Sequence, residues 1–324
     1  MGANAAYALS RDDVRWCYET LLKRQPESDD VVTHFVENVA DLKSLVKLFM
    51  GSTEFNNMQK NVVIKDGMAF EVIDGFRYND SPSVQENVLK ILKLMEPVAV
   101  EGFYKVRTGR NGDGGYVMLD DFEGIEAAYS LGICDDVSWD LQFADRGIEI
   151  YQYDHTIDAL PESHPRFHWF KTGIGSERTE SLDSLPNLMK ANGHEHSRDL
   201  LLKCDIEGAE WDMLATMTPT QLSQFRQITL ETHGWGDLEN PAFADKAYRA
   251  IANLTAGHKL IHVHGNNCTA LAVVGGIAVP AAMEMTFIRA ADKQLYPSTE
   301  TFPTTLDQPC WPHRADYHLG NFRF

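Results

Sequence analysis

Two short stretches of this chain place acids and a histidine where chemistry could be done. In Leu201-Leu202-Lys203-Cys204-Asp205-Ile206-Glu207-Gly208-Ala209-Glu210 an apolar run ends in an acid, and two further acids and a glycine follow. Glu231-Thr232-His233 closes a second such run. Apolar runs of this length read as strands of a parallel sheet, whose carboxyl ends open on the crevice where ligands bind. Asp205, Glu231 and His233 would then be neighbours across that crevice. The set has two uses: with His233 or Asn267 the acids can hold a hard metal ion, or His233 can act as a base oriented by Asp205 or Glu231. A plainer reading stands beside both. Glu207 and Glu210 open a helix, where the helix dipole favours acids.

Two further stretches carry candidates. His262 and His264 flank Val263 on a strand and point the same way under period-two alternation. They either line a polar cavity or invite a transition metal. His264, next to Gly265-Asn266-Asn267, is the better site candidate. The stretch Arg107-Thr108-Gly109-Arg110-Asn111-Gly112-Asp113-Gly114-Gly115-Tyr116 mixes glycines with two arginines. Such a loop can wrap a ligand with backbone N–H groups and pair arginine with a carboxylate. Without GK[ST] it is no P-loop, and it reads equally as a hairpin turning at Gly114-Gly115.

The elements that must hold these residues divide the chain into a helical module over 1–60, a connecting helical segment over 61–105 and an α/β domain over 106–324. Ser10 caps a first helix carrying Val14, Cys17, Tyr18, Leu21 and Leu22; Ser28 caps a second; a third runs from Leu42 to Gly51. Ser83 opens a longer helix stopped by Pro97. Short apolar runs then alternate with helical stretches: Ala127–Leu131, Ile148–Tyr153, Phe167–Phe170, Leu200–Cys204, Gln227–Glu231, Lys259–Val263 and Met283–Ile288. Seven strands in this rhythm predict an α/β sheet with crossover helices. No clear helix separates the last two, so they are expected to pair antiparallel, with one reversed strand at the edge.

With 324 residues, 44% hydrophobic and 23% charged, the composition is that of an ordinary globular protein. A net charge of −18 argues against nucleic acid or an anionic membrane as the main partner. No apolar run is long enough to span a membrane, and the N-terminus reads as no secretory signal. Five scattered cysteines, never in a CxxC pair, point to reduced thiols in the cytoplasm and no structural zinc.

Taken in order, the Arg107–Tyr116 stretch, Ser130-Leu131-Gly132-Ile133, Tyr153-Asp154-His155-Thr156, Asp205–Glu210 and His262–Asn267 resemble the FkbM-type S-adenosylmethionine-dependent methyltransferases over roughly residues 100–290. Tyr18, Leu21, Leu22, Arg24 and Ser52-Thr53-Glu54-Phe55 resemble, more weakly, a small helical module of bacterial glycan-associated proteins. The resemblance implies a Rossmann-like class I methyltransferase sheet behind a small N-terminal all-α domain. It implies S-adenosylmethionine as cofactor, held by Arg107, Gly114, Gly115, Tyr116, Gly132, Asp136, Asp154 and Asp205, and methylation of a sugar or glycan hydroxyl in surface-polysaccharide or secondary-metabolite assembly. Catalysis would fall to Asp205, Glu231, His233 and His264, with Mg2+ or Mn2+ on Asp205, Glu231 and His233 in the metal-dependent version. The N-terminal helices would serve a protein partner or self-association. The usual GxGxG loop is reduced to Gly132, so the cofactor expectation leans on Asp154, 22 residues further on, where an acid accepts ribose hydroxyls. Two alternatives remain: a non-catalytic scaffold, and a nitrogen or carboxylate acceptor.

Overall fold

The computed structural model describes residues 9–22, 24–50, 52, 61–65, 68–72, 77–291 and 293–324. It forms two compact units, residues 1–76 and 77–324.

In the first unit the helices are α1 (Arg11–Leu21), α2 (Asp29–Asn38) and α3 (Leu42–Met50). The Ser10 side chain accepts the Asp13 amide while Asp13 accepts the Ser10 amide, a reciprocal cap; Ser28 accepts the Val31 amide. Val14, Cys17, Leu21, Val32 and Leu45 are fully buried together, the apolar stripes the periodicity predicts. An antiparallel hairpin pairs Asn61–Lys65 with Met68–Val72. The unit is therefore not all helical, and the connecting segment expected over 61–105 is divided. Its first part is this hairpin, and helix α4 (Pro82–Leu92) belongs to the second unit. Helix α4 starts at Pro82 behind Ser81, one residue before the expected start, because proline's fixed φ suits a first turn. Gly51 and Thr53-Glu54-Phe55 lie outside the described residues.

The second unit is built on seven strands: β1 (Ala127–Leu131), β2 (Glu149–Tyr153), β3 (Phe167–Phe170), β4 (Leu200–Cys204), β5 (Phe225–His233), β6 (His258–Gly265) and β7 (Ala282–Arg289). Their order across the sheet is β3-β2-β1-β4-β5-β7-β6, with β7 antiparallel to both neighbours. All seven expected strands are present. One expectation fails: the reversed strand is not the edge. It is inserted between β5 and β6, so β6 is the edge and runs parallel to β5. A hairpin, Leu271–Val274 with Ile277–Pro280, supplies the reversal. This mostly parallel seven-stranded sheet is the one expected of a Rossmann-like methyltransferase fold.

Alternate residues of each strand enter opposite cores. Leu200, Leu202, Cys204, Tyr129 and Leu131 pack with Val88 and Ile91 of α4 and with Ala247 and Ile251 of α9 (Pro241–Thr255), the last helix after α5 (Ser138–Ala144), α6 (Leu185–Ala191), α7 (Glu210–Thr216) and α8 (Pro219–Leu222). Leu201 and Ala128 face the other way, onto Trp139 and Phe143 of α5 and onto Tyr116 and Met118. Truncating a fully buried leucine such as Leu202 to alanine costs about 2–5 kcal/mol at such sites.

Tyr116 and Met118 come from a hairpin, Lys105–Thr108 with Tyr116–Leu119, that lies over this second face. The Gln227 side chain pins it by bonding both the amide and the carbonyl of Leu119, each at 2.9 Å. The hairpin reading of residues 107–116 is thus correct, and its loop hangs over the carboxyl ends of the strands. Among the described residues no helix is long and apolar enough to cross a membrane.

Candidate active site

The chain runs from β1 outward to β3, then returns to β4 and continues the other way. Ligands bind at such a switch point, where neighbouring strands send their connections in opposite directions. A cleft of about 380 Å³ opens there, lined by Gly132, Cys134, Asp154, His155, Asp205 and Glu207 among others. That volume lies within the range of small-molecule sites.

The turn after β1 depends on Gly132. Its φ is +77°, and a Cβ there would lie 1.6 Å from the Asp205 carbonyl oxygen. The turn and the segment after β4 therefore touch backbone to backbone, which only glycine permits. The buried Lys203 amine donates to the Gly132 carbonyl at 2.8 Å. Asp154 closes the turn from the side. Its Oδ2 accepts the Ile133 and Cys134 amides at 2.8 and 3.0 Å, and its Oδ1 accepts the Thr156 amide and hydroxyl at 2.8 and 2.6 Å. Burial would raise its pKa, but these four bonds outweigh burial and hold it below the usual carboxylate value. Asp154 thus lines the cleft as expected, yet all four acceptor positions of its carboxylate already serve its own chain. Its visible work is to clamp the loop.

The hairpin loop departs further from expectation. Arg107 donates to the carbonyls of Arg110, Gly112 and Leu306 at 3.1, 2.7 and 3.5 Å, so its guanidinium is spent on the loop and its surroundings. A Cβ on Gly115 would lie 2.0 Å from the Arg110 carbonyl oxygen, so this glycine serves the loop's own packing. Gly114 and Arg110 line the cleft. Asp136 also lines it, while its carboxylate accepts the Ser138 amide and hydroxyl. Tyr116 does not reach the cleft wall; it is buried under the loop, and its hydroxyl has no hydrogen-bond partner.

Behind Asp205 and Glu207, which line the cleft, stands His233. Its Nδ1 donates to Glu210 Oε1 at 3.0 Å, and its backbone amide donates to the same oxygen at 2.7 Å. The other Glu210 oxygen accepts the Gly208 amide, so this fully buried side chain is fixed at both ends. Glu210, rather than Asp205 or Glu231, is the residue that orients His233. The ring's Nε2 then faces three acids: Glu207 at 3.6 Å, Glu231 at 3.7 Å and Asp205 at 3.9 Å. Glu207 holds its place with φ +55°, a strained backbone for a non-glycine residue. Burial alone would lower the His233 pKa, but Glu210, Glu231 and Asp205 outweigh it and raise it to about 9. Burial pushes Asp205 up to about 6 and Glu231 well above the usual range, with neighbouring carboxylates adding to both. Asp205 Oδ1 is buried without a partner. Asp205, Glu231 and His233 are therefore together, as the sequence predicts.

The other two candidates are not available. His264 sits between Glu284, 2.7 Å from Nδ1, and Asp316, 2.9 Å from Nε2. These bonds overcome the effect of burial and lift its pKa to about 10, so it is a buried imidazolium with both nitrogens committed. His262 pairs with Asp307 at 2.7 Å. Both histidines hold the C-terminal segment to the sheet, His264 through both ring nitrogens and His262 through Nε2, its buried Nδ1 having no partner. Asn267 likewise bonds the backbone of Trp311 and Arg314. His194, in the stretch before β4, bonds the Tyr129 hydroxyl at 2.8 Å.

Sequence reasoning missed Glu284. A lone acid inside the apolar run Met283–Ile288 was the signal, since buried charges are rare unless paired or functional.

No family model matches this chain, and no curated protein matches it. Among solved structures, a presumed methyltransferase from an antibiotic biosynthesis pathway of Anabaena variabilis is similar at 12% identity and a TM-score of 0.22. That likeness covers 43% of this chain and 57% of the other's length. A presumed hemolysin from Streptococcus thermophilus is similar at 8% identity and a TM-score of 0.30, over 62% of this chain and 75% of the other. Likenesses this loose carry no functional weight.

Proposed function

We propose that this chain is an S-adenosylmethionine-dependent methyltransferase acting on a hydroxyl, of the FkbM type that its motifs resemble. The observation that carries the reading is the cleft at the switch point between β1 and β4, with the Glu210–His233 pair directly behind its lining acids Asp205 and Glu207. The cofactor would lie along Gly132 and the Asp154–Thr156 turn, with Arg110 near its carboxylate; bound there, it supplies an electrophilic methyl group. The residues fit. Gly132 lets the turn after β1 close against the Asp205 backbone, and Asp205, which lines the cleft, keeps one carboxylate oxygen without a hydrogen-bond partner.

The rest is the work of His233 and its neighbours. A hydroxyl acceptor needs its proton removed as the new bond forms. His233 Nε2 would take it, and Glu210 would steady the resulting imidazolium through Nδ1. Asp205 and Glu231 flank the ring and favour its charged form, at the expense of raising the pH at which the neutral base is plentiful.

A sugar or glycan as acceptor, a partner for the N-terminal helices and a cytoplasmic setting come from the resemblance and from the five free thiols. Titration calorimetry with S-adenosylmethionine tests the core of the reading. Saturable binding that is lost on filling the cleft is expected. Absence of binding at millimolar cofactor would favour the alternative, a scaffold that has lost catalysis.

A further inference from the structure

Three adjacent strands bring two acids and a histidine into one row. In the register of β5 and β7, Glu231 lies directly opposite Glu284, and across β6 and β7, His264 lies opposite Glu284. Like charges facing each other across strands are destabilising. Both glutamates are buried, at 3% and 4% exposure. Asp113, from the loop above, completes a trio whose oxygens all lie within 4.8 Å of one another.

Two positive charges bear on this trio, and both are shared with other acids. His264 divides its charge between Glu284 and Asp316, and His233, 3.7 Å from Glu231, divides its charge among Glu210, Glu207 and Asp205 as well. Asn266 donates to Glu231 at 2.7 Å and to Asp113 at 3.4 Å, which satisfies hydrogen bonds without adding charge. The Tyr116 hydroxyl is buried without any partner, and the charges of Asp205, Glu231, Glu284 and Asp113 add to burial in raising its pKa. An orphaned hydroxyl is an acceptor as well as a donor. Here it is a further oxygen within electrostatic reach of the three acids.

We propose that Asp113, Glu231, Glu284 and the Tyr116 hydroxyl form a binding site for a hard divalent cation, separate from the Asp205–Glu207–His233 group on the cleft rim. All the donors are oxygen, which selects Ca2+, Mn2+ or Mg2+ over zinc or copper. Ca2+, with its flexible coordination, suits a ligand set drawn from two strands and a loop better than Mg2+, which demands near-ideal octahedral geometry. Asp113 is exposed on the loop, so the ion has a way in, and its binding would tie the hairpin loop to the sheet. The inference does not depend on methyl transfer.

Mn2+ titration of the full chain, followed by loss of the free-ion electron paramagnetic resonance signal, tests it. One saturable site is expected, displaced by Ca2+ more readily than by Mg2+. Asp113→Asn, an exposed loop change with little risk to folding, and Glu284→Gln should each weaken Mn2+ by at least about tenfold, and Tyr116→Phe by less. Asp205→Asn and His233→Gln should change affinity by less than about threefold. The proposal fails if the unaltered chain does not bind Mn2+ at millimolar concentration, or if Asp113→Asn and Glu284→Gln bind it unchanged. It also fails if binding follows Asp205 and His233 instead, which would place the ion on the cleft rim.

Discussion

The two walls of the cleft are built from the same kinds of residue and are in opposite conditions. On the wall formed by β1 and β2, the polar groups are satisfied by their own chain: Asp154 accepts four hydrogen bonds, and Asp136 caps Ser138 while Lys203 bonds the Gly132 carbonyl. On the wall that follows β4, and in the layer of β5 directly behind it, acids crowd one another, an oxygen of Asp205 has no partner, and the pKa values of Asp205, Glu231 and His233 are all displaced. A satisfied wall is a rigid cradle. A wall left short of partners has its charges arranged for something the chain does not itself contain, and perturbed ionisation of this kind concentrates at functional sites.

The contrast is broken most severely at the point where the walls meet. Gly132→Ala puts a methyl group into the Asp205 carbonyl and onto a left-handed backbone. We expect a loss of about 3 kcal/mol or more, read as a fall in melting temperature, together with complete loss of cofactor binding. A variant that melts normally and binds S-adenosylmethionine would mean the walls do not touch as described.

Next in size is turnover on the strained wall. His233→Gln should lower it by about 10²–10⁴, and Asp205→Asn and Glu231→Gln should lower it with smaller effects on cofactor affinity. With chelator present, activity should rise with pH as His233 loses its proton near pH 9. Glu210→Gln removes the bond that most raises that pKa, so it should shift this limb to lower pH while also reducing the maximum. A profile that does not respond to Glu210 would remove His233 from the role of base.

The satisfied wall predicts a smaller and different effect. Asp154→Ala frees the Ile133 and Cys134 amides and should weaken the cofactor by at least about tenfold. Whether Asp154 also touches ribose is decided by a double-mutant cycle with a cofactor analogue lacking the ribose hydroxyls. Additive losses mean that Asp154 acts only as the loop clamp. Non-additive losses restore it as a ribose acceptor.

Much of the fold was legible because parallel strands buried on both faces leave unbroken apolar runs. Leu200–Cys204, buried throughout, could be read off residue by residue, while the half-exposed edge strand Phe167–Phe170 was read from its aromatic residues. The insertion of β7 between β5 and β6 was not, since order across a sheet leaves no local pattern. The site followed the same division. Asp205, Glu231 and His233 announce themselves at strand ends. The fates of His262 and His264 are set by Asp307 and Asp316, 45 and 52 residues away along the chain. Arg107 looked free because its partners are backbone carbonyls, which every residue has and no motif marks.

The smallest predicted effect tests the contrast in the currency of stability. Asp205 ionises near pH 3.8 in an ordinary setting and near pH 6 in this fold, where burial disfavours its charge. The folded chain therefore holds this proton more tightly than the unfolded one, so stability falls as pH rises from about 4 to about 6. Asp205→Asn removes the group that ionises. Below that window the variant should melt with the unaltered chain; above it, with chelator present, it should melt roughly 2–5 °C higher, while turning over more slowly. The opposite sign is expected for Asp154→Asn, whose carboxylate is held below its ordinary pKa and contributes stability that is lost as pH falls. If both variants move the melting temperature in the same direction at neutral pH, the two walls do not differ in the way their hydrogen bonds suggest.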